Sequence, residues 1–234
     1  ADIVGGGGGF GGAALHAGID TVTGRGIDRL ESIETRFAEG GYKPVASNPF
    51  VDGVFVPGAE PGQTQITSGG MTTQAFAKTS GALWGYIFNG AFHEGTTTPR
   101  HGLRLEGTAF GTKDRPAIAI HSNQGITFDL DRIRAAIPGL SIRSFETLIG
   151  VSETVGQSLR QEQGRSFDDF PAVKKVFDAQ CAKVEFWVFV DGRRVFHEVR
   201  SSADGTGRVH IDLAQQDRFL TVAVTESDDT QAYD

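Results

Sequence analysis

Ala117-Ile-Ala-Ile-His-Ser-Asn-Gln-Gly-Ile-Thr-Phe-Asp-Leu130, followed after a short break by Ser144-Phe-Glu-Thr-Leu-Ile-Gly-Val151, is the stretch whose reading decides the fold. Ile126, Phe128 and Leu130 alternate in the first half, and Phe145, Thr147, Ile149 and Val151 alternate in the second. A period of two puts every other side chain on one face of a half-buried strand, where a helix would need a period near 3.6. Between the halves, Asp131-Arg-Ile-Arg-Ala-Ala-Ile137 is stopped by Pro138-Gly139. Leu130, Ile133 and Ile137 share one helical face, and Asp129 or Asp131 can cap it, so a two-turn helix is expected there.

Towards the C-terminus the strand pattern becomes clearer. Val184-Glu-Phe-Trp-Val-Phe-Val190 runs into Asp191-Gly192, a two-residue turn suited to type I′, and Arg194-Val-Phe-His-Glu-Val199 returns. Val209, Ile211 and Leu213 alternate after the turn at Asp204–Gly207, and Phe219-Leu-Thr-Val-Ala-Val-Thr225 makes a last strand. Towards the N-terminus, 50–56, 64–67, 82–88, 103–106 and 117–120 read as short strands, with Pro44, Pro49, Pro57 and Pro61 at their ends. Ile27, Leu30, Ile33 and Phe37 fall at helix-like intervals before Gly40-Gly41, although a strand also fits. Asp169 as cap, Pro171 in the first turn and Val173, Val176 and Phe177 on one face suggest a second short helix.

These residues resemble the NPCBM family of carbohydrate-binding modules, in which His-Ser precedes an alternating strand ending in Asp-Leu and a Phe-Glu-x-x-x-Gly-Val run follows. The matching residues are His121-Ser122, Ile126 through Leu130, and Phe145-Glu146 through Gly150-Val151. The likeness continues through the Asp191-Gly192 turn and the Leu-x-Val-x-Val strand before acidic residues, over roughly residues 100–230. It implies an all-β fold, an antiparallel β-sandwich of the jelly-roll, galactose-binding-like kind with one or two short helices in loop insertions. Residues 41–234 would form the sandwich and 1–40 a Gly-rich N-terminal extension. The implied function is non-catalytic carbohydrate binding within a larger secreted or cell-surface protein, with poly- or oligosaccharide and the parent chain's other domains as partners. The same fold could instead serve as a structural or protein-interaction module without sugar binding. Ser152 followed by Glu153 departs from the acidic residue the family often has after Gly-Val, and the family usually adds a strand beyond Asp228-Asp229.

Composition narrows the alternatives. The 234 residues include 32 Gly and 17 Phe but one Met and one Cys, a balance of many turns and short strands rather than a helical bundle. A formal charge of −7 without a Lys/Arg cluster argues against nucleic acid as a partner. No apolar run reaches the roughly 20 residues of a membrane-spanning helix. Cys181 alone allows no internal disulfide, and a start at Ala1 suggests a processed chain or an excised domain. Gly7, Gly9 and Gly12 satisfy G-x-G-x-x-G, but the helix that motif requires has no room before Gly18. His93 and His101 are separated by Gly, Thr and Pro, which denies them a helical zinc spacing and leaves two exposed loop histidines. With no Gly-x-Ser-x-Gly elbow and no His-Glu-x-x-His, the chain is not expected to be an enzyme.

Candidate binding residues follow from strand direction. Antiparallel neighbours reverse at each connection, so His121–Gln124, 152–181, 201–207 and 226–234 should gather at one end of the sandwich, the upper end. Arg132, Arg134, Arg193, Arg194 and Arg218 then gather at the other. Sugar binding needs an aromatic face and planar polar groups. Trp84 and Trp187 are the candidate platforms, Trp187 because Val184, Phe186, Val188 and Val190 claim the inner face of their strand, and His121 and Asn123 are the candidate polar contacts. At the same upper end Glu153, Asp204, Asp228 and Asp229 could hold Ca2+ through oxygen ligands.

Overall fold

The structure is a computed structural model and describes residues 18–27, 36–37, 40–83, 85–89, 92–94, 98–101, 103–111, 114–152, 183–201 and 204–227. In chain order, the strands that build the layers are β1 (Gly18–Asp20), β2 (Gly26–Ile27), β3 (Gly41–Pro44), β4 (Val51–Val56), β5 (Tyr86–Asn89) and β6 (Ile118–Ile120). There follow β7 (Gln124–Asp129), helix α1 (Leu130–Ala136), β8 (Ser144–Ile149), β9 (Lys183–Val190), β10 (Arg193–Ser201), β11 (Gly207–Asp212) and β12 (Phe219–Glu226). Six of them form an antiparallel sheet in the order β10-β9-β12-β7-β4-β3. The fold is an all-β antiparallel sandwich, with strands where the alternating patterns predict them and the architecture that the resemblance implies.

The alternation in the opening stretch marks where the six-stranded sheet meets its partners. On one face, Val188 and Val190 of β9 and Leu220 of β12 pack with Leu130 and Ile133 of α1, Ile149 of β8 and Val209 of β11. Further along that face, Val51, Val54, Ile126 and Phe128 pack with Ile19 of β1 and Ile87 of β5. The covering layer is therefore made of two pieces: the ribbon β8-β11 and the four-stranded sheet β6-β5-β1-β2. β8 lies outside the six-stranded sheet and pairs with β11. Ile149 is buried whereas Glu146 and Leu148 are exposed, the pattern of an outer strand.

The opposite face is covered as well. β4 and β7 are buried along their whole length. Ile66 and Phe76, from the segment between β4 and β5, lie against Phe55, Trp187, Phe189 and Ala223. Small residues on this face let the segment come close. Thr127 donates its hydroxyl to the Ile66 carbonyl. A Cβ on Gly125 would sit 2.1 Å from the Phe55 ring, so only glycine fits beneath it.

The local signals in the central stretch and the C-terminal third are realised closely. Asp129 caps α1, its carboxylate accepting the N–H groups of Asp131 and Arg132. Asp191 and Gly192 take φ of 48° and 76°, the left-handed pair that a type I′ hairpin turn demands. Two expectations need correction. The boundary at residue 40 is crossed, because β1 and β2 belong to the covering layer and Ile19 is 2% exposed in the core. His93 and His101 lie on a hairpin in which Phe92–Glu94 pairs with Thr98–His101, where local Thr-rich sequence favours strand over loop. Between 27 and 39 the described parts are the strands Gly26–Ile27 and Arg36–Phe37. The helix expected at 169–177 and the Gly-rich residues 1–17 lie outside the described residues.

Candidate functional site

The upper end is assembled around Asn123. This residue turns the chain into β7 with φ of 62°, a left-handed conformation that Asn tolerates better than most residues. It is fully buried, and its amide is used twice: Nδ2 donates to the Ala82 carbonyl at 2.9 Å, and Oδ1 accepts the Glu226 N–H at 3.2 Å. Beside it, Gln124 donates from Nε2 to the Thr21 hydroxyl at 3.0 Å and accepts the His121 N–H at 3.2 Å. Thr21 in turn donates to the Gly85 carbonyl. Glu226, 4% exposed, accepts both the N–H and the hydroxyl of Ser80 at 2.6 Å. Segments from both layers, at Thr21, Ser80–Gly85, His121–Gln124 and Glu226, are thereby tied into one loop platform.

His121 and Asn123, two residues apart in one loop, both serve as supports. The His121 ring sits inside the loop with Nε2 shielded from solvent, and burial lowers its pKa to about 4, so the ring is neutral at neutral pH. Asp204 lies at the same end but two strands away, beyond β9 on the turn after β10. Its Oδ2 accepts the N–H and hydroxyl of Ser201, which hold its carboxyl below the usual range. Trp84, Glu153, Asp228 and Asp229 lie outside the described residues. Among the described residues no group of three His, Cys, Asp or Glu side chains could hold a metal ion.

Trp187 is the clear correction. A candidate sugar platform on the face opposite Val188, it is 3% exposed. Phe76 meets its ring edge-on at 5.5 Å, the His197 ring stacks on it at 3.8 Å, and its Nε1 donates to the Thr225 hydroxyl at 2.9 Å. Alternation identified the correct face but could not identify the segment that covers it. Glu226 was visible in sequence only as one of several terminal acids, and Gln124 and Thr21 carried no signal, because their partners are 103 residues apart. Ser80, 146 residues from Glu226, was equally hidden.

No protein-family model matches the chain, and no curated protein matches it. Among solved structures, the chain is similar to a CBM51 module of a Clostridium perfringens GH95 protein solved with methyl-galactose. The identity is 18%, the TM-score 0.41, and the match covers 63% of this chain and 80% of that one. It is also similar to a structure of CBM51-2, solved with GlcNAc, and INT domains from Clostridium perfringens ZmpB. There the identity is 14% and the TM-score 0.40, with 88% of this chain and 38% of that one covered.

Proposed function

We propose that this chain is a non-catalytic carbohydrate-binding module of a larger secreted or surface protein, with its binding face on the upper-end loops. The observation that supports this reading most is the loop platform itself. Buried amide, hydroxyl and carboxylate groups of Asn123, Gln124, Thr21 and Glu226, with the exposed Ser80, hold loops of both layers in fixed relation. A sugar site depends on such preorganisation, because each hydroxyl contact is weak and gains only when its partner is already in place. Trp84, which follows Leu83 in sequence, is the aromatic residue proposed to meet the sugar ring. His121 and Asn123 serve as supports of the loops at this end.

A glycan array run at neutral pH with and without Ca2+ tests this reading. Binding of an oligosaccharide at millimolar affinity or better is expected, and its loss in Trp84→Ala with an unchanged far-UV spectrum. No bound glycan in either condition would overturn the proposal and favour a structural or protein-interaction module. The same array tests the calcium set of Glu153, Asp204, Asp228 and Asp229: binding that disappears on chelation assigns it.

A further inference from the structure

At the opposite end of the six-stranded sheet, Asp129 closes β7 with its side chain 1% exposed. Its Oδ1 accepts the N–H groups of Asp131 and Arg132 at 3.0 and 3.1 Å, which completes the cap of α1. Its Oδ2 faces two guanidinium groups, Arg218 through Nη2 at 3.1 Å and Arg132 through Nε at 3.5 Å. The arginines come from separate elements, the helix and the connection between β11 and β12, and each side chain stays 50% exposed. The Arg218 guanidinium also lies over the Phe219 ring, 4.6 Å from its centroid, which sets its plane.

One carboxylate oxygen thus holds two like charges beside each other. Asp131 and Asp52 add attraction at Arg218 from further off, but the bonds of the neighbouring acids lie elsewhere. Asp131 pairs with Arg134 at 2.8 Å, Asp52 takes the Tyr42 hydroxyl and both donors of Ser68, and Asp191 accepts the backbone N–H groups of Arg218 and Phe219. Arg134 is consumed internally, bonding the Asp217 and Ala214 carbonyls as well as Asp131. Among the described residues, Arg132 and Arg218 have no further side-chain hydrogen-bond or ion-pair partner, so their outward N–H groups face solvent. The adjoining loop leaves space: Gly69 rests against Phe219, and a Cβ on Gly70 would meet nothing within 4 Å.

We infer that Arg132 and Arg218 form a second binding site, one that takes an oxyanion carried on a saccharide, either the carboxylate of an acidic sugar or a sulfate ester. A guanidinium fork presents paired donors to such a group, and a second anion above the pair offsets the repulsion that Asp129 only half cancels. The oxyanion part stands on this geometry, and the saccharide part rests on the carbohydrate reading above. Asp129 also raises the Arg218 pKa beyond its ordinary value, so the charge persists at any working pH.

Calorimetric titration of the full chain at low salt tests the site with sodium sulfate, a glucuronate-bearing disaccharide, a sulfated galactose and their neutral counterparts. The charged saccharides are expected to bind at least tenfold more tightly than the neutral ones, with affinity falling as salt rises. Which of the two binds better separates carboxylate from sulfate. Arg132→Gln, which leaves the Arg218–Asp129 pair intact and so spares the fold, should lose about tenfold, as should Arg218→Gln. Arg218→Lys should recover only part, since it restores the charge without the fork. Equal affinity for charged and neutral sugars would overturn the inference. So would unchanged affinity in a folded Arg132→Gln/Arg218→Gln double variant. Sulfate bound through both arginines with neither saccharide bound would overturn the saccharide assignment and leave the neutral-sugar test of the upper end to stand or fall separately.

Discussion

The two ends of the six-stranded sheet each bury a carboxylate, and they compensate it by different means. At the lower end Asp129 meets two guanidinium groups and two backbone N–H donors. At the upper end Glu226 meets, among the described residues, Ser80 alone, through a hydroxyl and an N–H, while the neutral Asn123 amide fixes its backbone. Among the described residues the upper end thus holds its anion by dipoles, whereas the lower end holds its anion by two full positive charges. A dipole-held anion depends on every donor and tolerates no second negative charge, because the interior screens poorly. The lower end, half open to water, should be forgiving.

The sharpest way to break this contrast is to move a charge onto the upper end. Asn123→Asp keeps the shape of the side chain but turns the donor to the Ala82 carbonyl into an acceptor and places a second buried carboxylate near Glu226. A loss of about 3–5 kcal/mol is expected, in the range for an uncompensated buried charge, measured by chemical denaturation at neutral pH. A loss below about 1 kcal/mol would mean that the site is wetter than its burial indicates.

Acid probes the same end through His121, whose pKa falls from the ordinary 6.5 to about 4 because the ring is buried. Between those values the unfolded chain binds the proton more readily than the folded one, so unfolding becomes easier as pH falls from 6.5 towards 4 and stability is regained on raising it. The full effect is up to about 3 kcal/mol, and His121→Gln should flatten that part of the stability curve. An unaltered slope in that variant would assign the acid sensitivity elsewhere. The mirror substitution at the lower end, Asp129→Asn, should cost less, about 1–2 kcal/mol. Asn caps a helix nearly as well as Asp, and the lost ion pairs reach half-exposed arginines.

The lower end was also the more legible in sequence, and the reason is locality. Asp129 announces itself by standing between an alternating strand and a helical triplet, and Asp191-Gly192 names its own turn. Both are signals within a few residues, and both hold. At the upper end the contacts that tie one segment to another join positions 41 to 146 residues apart, such as Asn123 with Ala82 and Glu226 with Ser80. Alternation gives the face of a strand but not what covers it, so Trp187 could be placed opposite Val188 without any sign that Phe76 and His197 enclose its ring. For the same reason β1, read as part of an extension, could not be seen as the neighbour of β5, 68 residues further on at the Ile19–Ile87 pair.

Asp204 gives the smallest effect and settles whether the upper end borrows its positive charge from a cation. Its carboxylate closes the turn after β10 by accepting two donors from Ser201. Removing an exposed turn contact of this kind costs about 0.5–1 kcal/mol. Asp204→Ala should show that loss equally in millimolar Ca2+ and in chelator if the residue is a turn anchor alone, which its hydrogen bonds already account for. If Ca2+ raises the melting temperature of the wild-type chain and the rise vanishes in Asp204→Ala, the residue is a ligand as well. The contrast between the ends then changes in kind: the carboxylates of both would be balanced by full charges, one set covalently part of the chain and the other drawn from solution.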